Sequence, residues 1–238
     1  MSMNIGQHIS QQFNEELEAI RNHVMAMGGL VEQQLTDAIT ALVDANAELG
    51  ERVIQNDHKV NGLEVNIDEE CSRVLARRQP AAGDLRLIVA VIKTITDLER
   101  IGDQAERVGR MAVRLADAEM KQSNYVELQH MGNHVREMLH DALDAFARMD
   151  AEAALAVAHE DVKVDREYES IMRQLMTYMM EDPRTISRVL DEMWAARALE
   201  RIGDHAGNIA EYVIYLVKGK DVRHVTLEQM EEEVRSER

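Results

Sequence analysis

Eight oxygen-bearing residues recur in two sets of four along this 238-residue chain: Asp57, Asn61, Glu99 and Asp103, then Asp161, Asp165, Glu200 and Asp204. Within each set they come in pairs four apart, the spacing that stacks two side chains one helical turn apart on one face, about 5 to 6 Å between Cβ atoms. Carboxylates gathered this way repel one another unless they are protonated or bridged by cations. An all-oxygen donor set suits Mg²⁺, Mn²⁺, Ca²⁺ or iron better than structural zinc. The chemistry predicted at these eight residues is therefore the binding of divalent or transition metal ions. In a chain with 44 acidic residues, a lone pair of acids four apart is ordinarily a solvated helix face. What lifts these pairs above that reading is that they are copies.

The hexapeptide LERIGD stands at 98–103 and again at 199–204, an offset of 101. DHKVN at 57–61 is matched by DVKVD at 161–165, offset 104. The only two prolines, Pro80 and Pro183, lie 103 apart, and Asn46 and Asp150, both good helix N-caps, lie 104 apart. A period near 100 is too long for a solenoid repeat of 20 to 50 residues and suits a duplicated unit of several helices. Folding each helix pair back at its proline then sets the heights. Positions 57 and 103 average to 80, as do 61 and 99, while 161 and 204 average to 182.5, as do 165 and 200. Each acidic set is thus expected to face itself across an antiparallel hairpin. Gly102 and Gly203, next to the acids, predict close helix approach there.

The elements that must hold these residues are helices. Apolar residues follow the 3-to-4 spacing of a buried stripe, as in Ile9, Phe13, Leu17, Ile20, Val24, Met27, Val31, Leu35, Ile39 and Leu42. Gly28 and Gly29 inside that helix predict a bend or a close neighbour. A second helix runs from Asn46 to about Arg77, a third from a cap at Asp84 to about Ala118, a fourth from about Asn124 to Met149, a fifth from Asp150 to Glu181, and a sixth from about Thr185 to Lys218. The inward stripe of the second helix, Val53, Asp57, Val60, Glu64, Ile67, Cys71 and Val74, is echoed in the fifth by Val157, Asp161, Val164, Tyr168, Ile171, Leu175 and Tyr178. The fold predicted is an all-α six-helix bundle of two tandem three-helix repeats. Repeat one spans 1–118 and repeat two 119–220 of a single helical domain, and the charged tail 221–238 reads as a frayed helix or a disordered end.

Composition narrows the function. A net charge of −17 opposes direct binding to nucleic acid or anionic lipid and favours cations or proteins as partners. One cysteine, Cys71, forms no internal disulfide and implies a reducing compartment. The first residues lack the basic and apolar regions of a signal peptide, and the longest apolar runs fall far short of the roughly 20 residues of a membrane helix, so membrane association is expected only through partners. There is no Walker A loop, no G-x-S-x-G and no CxxC, and no nucleophile–base constellation, so no catalysis is predicted. Glu137 and His140 form the only E-x-x-H, whereas a di-iron oxidase needs that motif on two helices. A di-metal carboxylate redox or oxygen-handling bundle is the rival reading, and a metal-free structural bundle with Arg100 and Arg201 neutralising the acids is another. His58 and His205 adjoin the acidic sets as helpers.

The paired E-x-x-x-D and D-x-x-x-D motifs, the segment RRQPAAGDLR at 77–86 and RQLMTYMMED at 173–182 together resemble the PhoU family over nearly the whole chain. That resemblance implies a six-helix, two-repeat fold, usually homodimeric, with metal clusters on the acidic motifs. It also implies a cytoplasmic negative regulator of the phosphate-starvation response, an adaptor between the ATPase of the phosphate ABC transporter and a sensor histidine kinase that modulates phosphate uptake. The chain departs from the pattern at Asn61, which keeps an oxygen ligand and drops a charge, so the first site is expected to be the weaker. The acidic sets themselves would repel phosphate, which is expected to be sensed by the transporter and relayed.

Overall fold

The computed structural model describes residues 11–116 and 125–236. The expected helix boundaries at Ile9, Ala118 and Asn124 lie outside the described residues. Six long helices follow one another: α1 (Gln11–Val43), α2 (Ala47–Arg78), α3 (Ala82–Ala116), α4 (Tyr125–Arg148), α5 (Ala151–Glu181) and α6 (Ile186–Lys218), with a 3₁₀ turn at Pro183–Thr185 and a short α7 (Leu227–Arg235). They form the two tandem three-helix repeats expected. α3 and α6 pack most extensively against each other at the centre; α1 and α2 cover α3, α4 and α5 cover α6, and α1 also meets α4. The α1 stripe from Phe13 to Leu42 and the α2 stripe Val53, Val60, Ile67, Cys71 and Val74 are buried as their spacing requires.

The corners repeat as closely as the helices. Before α2, Ala45 adopts a left-handed φ of 49°, the Asn46 N–H donates to the Ala41 carbonyl at 2.9 Å, and the Asn46 side chain accepts from the Leu49 N–H at 3.0 Å. Before α5, Met149 (φ 53°) and Asp150 do the same, with Asp150 accepting from the N–H groups of Glu152 and Ala153. One residue thus ends one helix in a Schellman-type turn while the next caps its successor. Ala45 is exposed and contributes only its strained Cβ. Ala45→Gly is therefore expected to stabilise the fold by about 1 kcal/mol, read as a rise in the denaturant midpoint at unchanged slope.

Two expectations need correction, and a third, that of a close neighbour at the α1 glycines, is met at one of its two residues. α3 starts at Ala82, so Asp84 does not cap it but sits buried in its first turn, where a carboxylate meets the positive end of the helix. Of the glycines in α1, Gly28 lies against Leu143 of α4, where a Cβ would come within 2.8 Å, whereas Gly29 faces open space. The charged tail is neither frayed nor disordered over the described residues. Thr226 and Gln229 close a capping box on α7, and Val222, Met230 and Val234 are buried, holding α7 against α5 and α6.

Candidate metal centre

The second acidic set assembles most fully. Asp165 on α5 and Glu200 and Asp204 on α6 bring one carboxylate oxygen each to within 4.8 Å of one another, the only such trio among the described residues. Asp161 stands one turn from Asp165, against the α6 backbone: a Cβ on Gly203 would lie 3.6 Å from its Oδ1, and one on Gly207 3.7 Å from its Cγ. The close approach expected of Gly203 is what admits it. Burial, then the charges of Asp204 and Asp165, push the Asp161 carboxyl up to about 6. Burial also raises Glu200 and Asp204, each further raised by neighbouring acids and only partly opposed by Arg197, with His205 and Arg201 also opposing at Asp204. Arg197, which donates to Glu200 Oε1 and lies over the Tyr168 ring, is the hydrogen-bonded neutralising arginine, while Arg201 makes no ion pair among the described residues but its charge also lowers Asp204.

The first set is drawn together differently. Gln34, from α1, donates to Asp57 Oδ1 at 3.1 Å, and Asn61 donates to Asp57 Oδ2 at 3.2 Å, so two neutral amides satisfy the one buried acid. Glu99 and Asp103 lie across on α3 and are raised, first by burial and then by acids that include Asp57. These three carboxylates do not close into a trio like the second one. Asn61 stands where the second trio has Asp165, so one carboxylate is missing, and Gln34, which helical periodicity does not single out, has Met138 as its counterpart 104 positions on. Gly102 admits the approach here, its Cβ position lying 3.4 Å from Asp57 Oδ1.

A cation suits both sets. Glu200 Oε2 in the second, and Asn61 Oδ1 and Gln34 Oε1 in the first, are buried oxygens with no hydrogen-bond donor. Buried acceptors are normally satisfied, and a hard divalent ion satisfies oxygens of this kind. Of the described histidines, only His205 bears on the acidic sets, lining the cavity beside Asp161 and Asp204 and lowering Asp204 by its charge. His58 is exposed and bonds the Gln55 carbonyl of its own turn. His140 of the E-x-x-H pairs with Glu32 on α1 at 2.9 Å. His205 Nδ1 bonds Asp97 on α3, at 2.7 Å. Asp97, 1% exposed, also accepts from Tyr212 (2.7 Å) and Asn208 (3.3 Å), with Arg100 at 3.7 Å; this carboxylate locks α3 to α6.

Beyond Asp204 the acidic groove continues to Glu211, whose carboxyl is pushed up to about 7 by burial and by Asp221. A cavity of about 450 Å³ there is lined by Asp161, Asp204 and Glu211 on one side and by Leu227 and Met230 of α7 on the other. Both Asp161 and Glu211 hold protons more tightly in the folded chain than the usual value near 4 in the unfolded one. The stability they contribute is full below about pH 4 and is lost as pH rises through 6 to 7. With chelator present, melting temperature is accordingly expected to fall between pH 5.5 and 8, and added Mg²⁺ or Mn²⁺ to flatten that fall. A chelated protein that melts higher at pH 8 than at pH 5.5 contradicts this.

With this geometry in place, comparison with known proteins is specific. The family model for the PhoU domain matches twice, at residues 24–112 and 128–213. The phosphate-specific transport system accessory protein PhoU homolog of Pseudomonas aeruginosa is 59% identical over 231 residues, covering 97% of this chain and 96% of the relative. The phosphate-specific transport system accessory protein PhoU of Escherichia coli K12 is 55% identical over 224 residues, covering 94% and 92%. The crystal structure of PhoU from Pseudomonas aeruginosa superposes with a TM-score of 0.85 at 58% identity, over 87% of this chain and all of that one. The phosphate transport system regulatory protein PhoU from Streptococcus pneumoniae gives 0.82 at 28% identity, over 88% and 99%.

Proposed function

This chain belongs to the PhoU family, and from that membership we propose that it is an accessory protein of the phosphate-specific transport system, not an enzyme, that keeps the phosphate-starvation response off when phosphate is plentiful. The observation that supports this reading is the near full-length similarity to relatives named as accessory proteins of the phosphate-specific transport system. It acts as a cytoplasmic adaptor, a homodimer that contacts the ATPase subunit of the phosphate ABC transporter and a sensor histidine kinase. No described helix is long and apolar enough to cross a membrane, so contact with the membrane runs through those partners.

The chain's own residues supply rigidity. Asp165, Glu200 and Asp204, with Asp161 beside them, hold a divalent or transition metal ion between α5 and α6; Asp57, Asn61, Glu99 and Asp103 hold a weaker one between α2 and α3. The bound ion supplies charge neutralisation and no turnover. With that charge neutralised, the carboxylates would keep each hairpin's separation fixed, and with the Asp97 network joining α3 to α6 the helices would present constant faces to a partner. A rigid face of this kind biases a two-state kinase by binding one state better than the other. The test is direct binding between the purified full chain and the kinase's cytoplasmic portion or the transporter ATPase, with and without Mg²⁺ or Mn²⁺. Complexes at micromolar concentration are expected; no binding to either partner under any condition overturns the adaptor reading.

A further inference from the structure

The duplication offers a second use of the α3/α6 contact. Carried 101 positions along, the residues around the Asp97 carboxylate have counterparts on the opposite flank: Asp97 becomes Ala198, Arg100 becomes Arg201, His205 becomes Gln104, Asn208 becomes Arg107 and Lys93 becomes Trp194. These five counterparts all line one cavity of about 290 Å³, together with Arg114 and Arg197. The cavity is the Asp97 site with its carboxylate deleted and its surroundings made more basic. On the Asp97 flank an anionic group occupies the space and receives three hydrogen bonds. On this flank the 3%-exposed Ala198 leaves that space open.

Basic residues face it in a chain of net charge −17. Arg114 pairs with Asp191 at 3.4 Å and Arg197 with Glu200. Arg107 hydrogen-bonds only the amide oxygen of the buried Gln104, at 3.4 Å, and Arg201 has no ion pair among the described residues, their acidic neighbours Asp103 and Asp204 acting on them only at longer range. Guanidinium forks favour planar or tetrahedral oxyanions, and several of them around one space favour a doubly charged one. We propose that the cavity at Ala198 binds a phosphoryl anion, either free phosphate or a phosphate ester, held by Arg107, Arg201 and the Gln104 amide. Trp194, 64% exposed at the rim, offers a face on which the ring of an ester such as a nucleotide stacks. The cavity adjoins the acidic sets through Arg197, which pairs with Glu200, but its anion would be held by other residues, and the proposal does not rest on the adaptor reading.

Trp194 is the only tryptophan of the chain, so its fluorescence reports this cavity alone. The experiment titrates the chelator-treated full-length protein with inorganic phosphate and, separately, with ADP, at ionic strength held constant with chloride. A saturable change in Trp194 emission is expected with at least one probe: with phosphate if the free anion suffices, with ADP alone if the ring is required. Ala198→Asp, which restores the missing carboxylate, is expected to abolish the response, and the exposed Arg107→Gln to weaken binding about tenfold or more. Circular dichroism checks that both variants remain helical. No saturable change with either probe overturns the proposal, as does unchanged affinity in Arg107→Gln, which stands as a test even where Ala198→Asp disturbs the fold.

Discussion

Adding Mn²⁺ or Mg²⁺ to the chelator-stripped protein is expected to raise its melting temperature by roughly 5 to 10 °C at an ion concentration a hundred times the dissociation constant. Binding to the folded state alone contributes about 2.7 kcal/mol at that excess, and a chain of this size gains about 2 to 4 °C per kcal/mol. The source of the effect is the burial and, after it, the mutual repulsion that raise the carboxyls of Asp161, Glu200 and Asp204. Replacing Glu200 and Asp204 together with Ala is expected to remove metal from the second cluster while leaving helical content intact, since neither side chain holds a helix pair together. The metal-free variant should melt no lower than metal-free wild type, because the substitution also removes repulsion. Asn61→Asp should tighten the first cluster toward the second by restoring its missing charge. Metal stoichiometry measured on each variant decides the matter: an unchanged metal content in the double variant sinks the assignment.

How far the sequence carries is visible in particular residues. The hairpin register was legible because antiparallel helices joined at a proline fix which positions share a height, and Asp165, Glu200 and Asp204 meet where that arithmetic puts them. Gln34 was not legible, since nothing in the α1 stripe distinguishes a polar core position that reaches Asp57 from an ordinary defect in the stripe. The role of Asp97 depends on partners 108 to 115 residues away on the other repeat, a contact that helical periodicity does not specify. The repeat itself held a usable signal: Ala198 stands where its copy has Asp, and a deleted acid beside one retained arginine, Arg201, and one gained, Arg107, marks a difference between the two flanks. α7 was misread because its charge obscured a capping box and the i, i+4 pair Met230 and Val234.

Cells lacking this chain are expected to express phosphate-starvation genes even in abundant phosphate, and cells lacking the kinase as well are expected to keep them silent. The first half follows if the chain holds the kinase in its inactive state. Moving a two-state protein from 1% to 99% inactive requires about 10⁴-fold tighter binding to that state, so loss of the adaptor releases nearly the whole kinase population. The second half follows because an adaptor acts only through what it touches. A redox or oxygen-handling carboxylate enzyme would instead disturb a metabolite, and its loss would leave a phenotype when the kinase is gone. The Glu200/Asp204 double variant separates two versions of the adaptor reading in the same cells. If metal-fixed geometry presents the kinase-binding face, the variant derepresses like the deletion; if the helices alone suffice, it represses like wild type and the ions serve stability. Reporter expression in high phosphate across these strains reads out both questions, and derepression that persists without the kinase excludes the adaptor.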